Sequence, residues 1–333
     1  MLRLLRPFGW AIRGRYRKFW IVRGVRQFIW TRRMAANNGI CSIEIANDGV
    51  GFFAQLNWCV GICQYCEANG LVPDIRLTGD IYLDRLRGSN WLDHYFDWTN
   101  PVGPGELLRR VRYTKRIVDF SELGGSLGSQ LSLVDGARLL RKYLRPKPHI
   151  SAEVEEFWRR IDGTGAVVGV HFRGTDKTFE ASRVSWQHCL DVVRAHLRAN
   201  SDVRAVFVAS DEQAFVEFMA ASIREPPVCF RADHIRSVDG RPVHLSAAGN
   251  GYEKGKDALV NSLLLAKCST LIRTTSLLSA YSSLFNPELK VILLNRPLAW
   301  ALWYPEREIL QARNTEYRPA APALAGSLHL SRP

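Results

Sequence analysis

From Gly39 onward the chain alternates short apolar runs with stretches of helical periodicity, the pattern of an α/β protein. An apolar strand over Ile40–Ile45 runs into the turn Asn47–Gln55, which holds Gly49 and Gly51. A helix that is mostly apolar around its circumference follows (Leu56, Trp58, Cys59, Val60, Ile62, Cys63). Strand, glycine turn and buried helix open a nucleotide-binding type of domain. The two glycines either close a tight turn or leave room for a ligand, and the third glycine of a dinucleotide fingerprint is missing. Residues 80–133 are irregular and carry Trp91, His94, Tyr95, Phe96 and Trp98, a group that suits a satellite core or a sugar-stacking surface. An amphipathic helix over Val134–Leu144 and the Pro-rich Arg145–His149 close the first half.

The second half is more regular. A helix over Glu153–Ile161 precedes the strand Ala166–Phe172 (AVVGVHF), and Ser185 caps a helix running to Leu197. A second strand covers Ala205–Ala209, and a helix covers Lys254–Lys267. A third strand at Thr270–Ile272, a helix from Ser276 to Phe285 and a strand at Val291–Leu294 complete the pattern. Three of these strands end in polar residues: His171 and Arg173, Ser210 and Asp211, Arg273 and Ser276. Carboxyl ends of parallel strands face one crevice, where an Arg offers a planar fork of donors to an anion such as a diphosphate. Thr274, Thr275 and Ser276, at a helix start, are expected to add free backbone N–H groups.

Composition narrows the picture without changing it. The chain has 333 residues, 47% apolar and 23% charged, with a net charge of +13. Residues 1–33 hold ten Lys/Arg and no acid, so the other 300 residues carry only +3 and nucleic-acid binding is disfavoured. That segment interleaves its cations with Phe8, Trp10, Tyr16, Phe19, Trp20, Phe28 and Trp30, which suits peripheral attachment to an anionic membrane surface. No run of 18 apolar residues spans a bilayer and no secretory signal is legible, so a cytoplasmic location, peripheral at the inner membrane surface, is expected. Seven cysteines without disulfide-framework density fit a reducing compartment. Cys59, Cys63 and Cys66 line one helix face and read as small buried apolar residues, since no second metal-binding pair follows. The domains expected are a basic segment (1–35), an acceptor-side domain (36–150), a nucleotide-sugar domain (151–315) and a tail (316–333).

The run HFRGTDK (His171–Lys177) resembles the His-x-Arg-x-Thr-Asp-Lys segment of the α1,6-fucosyltransferases. These belong to a wider group with the bacterial nodulation fucosyltransferases and the protein O-fucosyltransferases. Phe179–Ala181, Val206–Asp211, Asp257 and Leu271–Ser276 are similar to further segments of that family, as is the turn at Gly49–Leu56. The resemblance implies a GT-B fold of two facing Rossmann-like domains and inverting, metal-independent transfer of fucose from GDP-fucose to a glycan or lipid-linked saccharide. It also implies that Arg173 binds the diphosphate, His171 contacts the nucleotide-sugar, Asp211 lies at the same crevice, Asp257 holds the guanosine and Thr275 and Ser276 receive a phosphate.

An alcohol needs a base before it attacks, and Glu180 is the candidate, with Asp176 as runner-up. The chain has no Asp-x-Asp pair to clamp a metal. Two departures stand out. The family's second Arg is Gly174 here, with Arg273 the nearest substitute, and the gap from Lys177 to Glu180 is one residue shorter than in the core enzyme. A transferase using another GDP-sugar, and a non-catalytic nucleotide- or glycan-binding relative, are the alternatives.

Overall fold

The computed structural model describes residues 25, 28–32, 34, 36–98, 109–114, 120, 131–161, 165–174, 180–237, 243 and 249–320. The chain divides into two units, residues 1–156 with 244–261 and residues 157–243 with 262–333. Each is α/β with a parallel sheet, the class its alternating pattern predicts.

In the first unit, β1 (Ile40–Ile45) leads into α1 (Phe52–Ala68) and β2 (Val72–Leu77). The short α2 (Leu92–Tyr95), β3 (Phe96–Asp97), β4 (Val111–Tyr113), α3 (Leu133–Tyr143), β5 (Arg145–Pro146) and α4 (Pro148–Ile161) follow. β1 is central, parallel to both β2 and β4. Phe52 at the start of α1 packs its ring against Tyr82, Trp91, Tyr95 and Phe96 at centroid distances of 5.1–6.3 Å. Trp91, Tyr95 and Phe96 are fully buried, so this aromatic group is core and offers no stacking surface to a sugar. Cys59, Cys63 and Cys66 are buried in α1, and burial pushes the Cys59 thiol up. Trp30 is buried too, donating from Nε1 to the Tyr65 hydroxyl at 3.0 Å, so this aromatic of the basic segment anchors to protein and not to lipid.

The second unit contains β6 (Ala166–Phe172), α5 (Trp186–Ala199), β7 (Val203–Ser210), α6 (Gln213–Ser222) and β8 (Val228–Cys229). Next come α7 (Gly251–Lys267), β9 (Thr270–Arg273), α8 (Leu277–Phe285), β10 (Lys290–Leu293), α9 (Glu306–Gln311) and β11 (Thr315–Tyr317). Its six strands are all parallel in the order β11-β10-β9-β6-β7-β8. β6 reads as one apolar run because helices cover both faces of such a sheet. Ser185 caps α5 by accepting from the His188 N–H at 3.1 Å. Gly169 lets the end of α7 close on β6, since a Cβ there would lie 2.9 Å from the Cys268 sulfur.

The boundary differs from the one expected at residue 150. It falls inside α4, and residues 244–261 join the first unit. Tyr95 is the physical reason: its hydroxyl donates toward the carbonyls of Gly251 (3.2 Å) and Tyr252 (3.1 Å), and its ring stacks on Tyr252 at 5.4 Å.

Arg273 at the end of β9 is fully buried and spent on protein. It pairs with Glu306 of α9, donates from Nε to Ser279 Oγ at 2.9 Å and reaches the Ser276 carbonyl at 2.9 Å. It is therefore not available to replace the arginine missing at position 174. Glu306→Ala would leave the guanidinium buried without its counter-charge, and an equilibrium urea unfolding curve should show a loss of about 3–5 kcal/mol.

Candidate functional site

The order of the six-stranded sheet reverses at β6. The chain goes outward through β7 and β8 on one side and through β9, β10 and β11 on the other. Such a switch point leaves a crevice at the carboxyl ends of the two central strands, and β6 and β9 end in His171-Phe172-Arg173 and Arg273-Thr274. Parallel pairing sets His171 opposite Arg273 and Phe172 opposite Ser210. The ends are stitched together: the Thr274 N–H donates to the His171 carbonyl at 3.0 Å, and the Arg173 N–H donates to the Thr274 hydroxyl at 2.9 Å.

Arg173 stands half-buried at this edge, with its Nε 3.8 Å from an Asp211 carboxylate oxygen. Asp211, from the end of β7, also accepts the Ser237 N–H at its carbonyl, 2.8 Å away. His171 is buried, and its Nδ1 has no hydrogen-bond partner. Burial, then the charges of Arg273 and Arg173, hold its pKa well below the usual histidine value, so the ring is neutral.

A cavity of about 210 Å³ opens beside Arg173, lined by Thr274, Trp186, Glu212 and Asn295 among others. The free N–H groups expected at Thr275 and Ser276 are already used. Thr275 N–H donates to the Asn295 side-chain oxygen at 2.7 Å, and Ser276 N–H donates to Glu306 at 3.1 Å. Those amides are therefore not open to an anion. Glu180 lies where β10's continuation meets this edge: its carbonyl accepts the Leu298 N–H at 2.7 Å, and Ala181 bridges Pro297. Asp176 lies outside the described residues.

Asp257 is buried on α7 in the first unit, whereas His171, Arg173, Asp211, Thr275 and Ser276 belong to the second. Gly49 and Gly51 are also in the first unit, in the turn after β1. There the Gly49 N–H donates to the Asn47 side-chain oxygen at 2.9 Å, and a Cβ at Gly51 would meet nothing nearer than the Tyr82 hydroxyl at 4.0 Å. That glycine keeps space open; no close protein neighbour demands it. No cluster of three His, Cys, Asp or Glu able to hold a metal occurs among the described residues. No helix among them is long and apolar enough to cross a membrane.

Sequence reasoning missed Glu212, Asn295 and Trp186 as lining residues. Glu212 directly follows Asp211, and Asn295 ends β10, so the strand-end rule that found Arg173 applies to both. Trp186 of α5 packs its ring edge-on against Phe215, and it also edges the cavity.

No protein-family model matches the chain. Nodulation protein Z of Bradyrhizobium diazoefficiens is 27% identical over 172 residues, covering 49% of this chain and 46% of that protein, so the chain spans less than half of that relative. Among solved structures, NodZ α-1,6-fucosyltransferase soaked with GDP-fucose is similar at 16% identity and a TM-score of 0.49, covering 76% of this chain and 94% of that one. POFUT1 in complex with GDP is similar at 11% identity and 0.45, with coverage of 74% and 94%. A mutant of Arabidopsis thaliana FUT1 in complex with GDP is similar at 12% and 0.46, with coverage of 80% and 73%.

A neutral buried His171 has a consequence for stability. Its folded pKa is depressed, so below the ordinary value of 6.5 the unfolded chain takes up a proton that the folded chain refuses. Stability is therefore undiminished above pH 6.5 and falls as the pH drops below it, by about 1.4 kcal/mol per pH unit for this one site. Urea unfolding between pH 7 and pH 5 should lose that share of its slope in His171→Gln.

Proposed function

We propose that the chain is a GT-B glycosyltransferase of the α1,6-fucosyltransferase-like group that transfers fucose from GDP-fucose without metal. The observation that carries this reading is the placement of Arg173 and Thr274 in the wall of an open cavity at the switch point of a parallel sheet, with His171 buried at the same strand end. The run His171–Lys177 carries the family's motif at that same strand end. Sequence similarity to Nodulation protein Z over 172 residues supports the group.

In this reading Arg173 takes the diphosphate as a charge-assisted donor, Ser276 holds a phosphate as the resemblance implies, and a neutral His171 contacts the nucleotide-sugar without adding charge. Glu180 removes the acceptor proton, and Asp176 is the second candidate. The absence of any Asp-x-Asp pair supports a metal-free departure, with cationic side chains stabilising the leaving diphosphate. Trp300 and Trp303, 58% and 46% exposed beyond the Leu298–Glu180 contact, support a saccharide acceptor, because they offer flat apolar faces for a pyranose ring. The basic aromatic segment 1–33 supports peripheral attachment to an anionic membrane, where a lipid-linked acceptor would lie.

Calorimetric titration in EDTA tests the donor site: GDP and GDP-fucose should bind and UDP should not. Arg173→Ala should weaken GDP by about 30- to 150-fold, equivalent to about 2–3 kcal/mol. Absence of GDP binding by the unaltered protein would overturn the assignment. Glu180→Gln should spare donor binding and abolish turnover; retained turnover there, with loss in Asp176→Asn, moves the base to Asp176. Removing residues 1–33 should abolish sedimentation with phosphatidylserine vesicles.

A further inference from the structure

The cavity beside Arg173 is lined by groups of opposite character. Arg173, Arg183 and Thr274 line it as donors, and the carboxylate of Glu212 lines it as an acceptor. Glu212 occupies the ground that a side chain at residue 174 would need. A Cβ built on Gly174 would lie 2.3 Å from Glu212 Oε1 and 2.7 Å from Oε2. Where relatives carry a second arginine, this chain carries no side chain and places a negative charge in the space.

A carboxylate cannot help hold a diphosphate. Two like charges about 4 Å apart repel by about 1 kcal/mol in bulk water and about 4 kcal/mol at the effective dielectric of a protein surface. The diphosphate is thereby confined to the Arg173 side, and the part of the ligand that meets Glu212 must be neutral and carry donors. Hydroxyl groups fit that description.

The geometry of Glu212 is prepared for the task. Trp186 Nε1 donates to its Oε2 at 3.2 Å and fixes the carboxylate plane, while its own N–H is tied to Ser210 Oγ at 3.1 Å. Oε1, which lies against Gly174, accepts no hydrogen bond among the described residues. Burial first and the neighbouring Asp211 second raise the Glu212 pKa, as fits a group half withdrawn from water.

Accordingly, we infer that Glu212 is a specificity-determining residue that accepts hydrogen bonds from hydroxyl groups of the transferred sugar. The cavity between Glu212, Trp186 and Arg173 is then the sugar pocket of the donor site. This inference rests on the GDP-sugar reading given above and adds to it which end of the donor lies where.

The test is titration of Glu212→Gln with GDP, GDP-fucose and GDP-mannose. Gln is nearly isosteric, still accepts from Trp186 and removes the charge, so GDP affinity should hold or rise as the repulsion is lifted, and retained GDP binding doubles as the folding control. GDP-fucose should weaken by about 10- to 100-fold, the loss of a hydrogen bond to a charged group, and the preference between GDP-fucose and GDP-mannose should shrink. Equal weakening of GDP and GDP-fucose, or no change in either, overturns the role of Glu212 while leaving the nucleotide site intact. Failure of the unaltered protein to bind GDP overturns both.

Discussion

The buried pair Arg273–Glu306 is what the candidate site leans on. Arg273 ends β9, and Glu306 comes from α9, 33 residues later. Their contact draws the Ser276 N–H and carbonyl and the Ser279 hydroxyl into one fully bonded knot. A buried ion pair is favourable only when its remaining donors and acceptors are satisfied, and here they are. The knot fixes the turn between β9 and α8. Thr274 in that turn holds the Arg173 backbone, so the direction in which Arg173 leaves β6 is set two steps away from any ligand.

That arrangement also explains which parts of the site could be seen in the sequence. Polar residues ending apolar runs gave His171, Arg173 and Asp211, because strand period and parallel topology put all three at one edge. The same rule misleads at Arg273, which ends a strand in the same manner yet faces inward. Nothing local distinguishes the two arginines; the difference is Glu306, far along the chain and ending up in the core. Thr275 and Ser276 show the same limit: a helix start promises free N–H groups, but Asn295 and Glu306 arrive from later elements and take them. Strands β6 and β1 were legible to the residue, as continuous apolar runs bounded by charge or glycine. The short β2 (VPDIRL) and β11 (TEY) were not, since neither has an apolar run long enough to announce itself.

The electrostatics of the sheet edge tie these observations together. Burial first, and then the charges of Arg273 and Arg173, keep His171 neutral at the end of β6. Arg273 is matched there by Glu306, so an anion entering meets Arg173, which stands beside Asp211. Glu212 adds a carboxylate to a cavity that Arg173 and Arg183 also line, and a wall holding both signs of charge selects the pose of a ligand by excluding the reversed one as much as by favouring the correct one. Gly174, with Glu212 filling the ground beside it, therefore gives this edge a carboxylate where a second arginine would have added a cation.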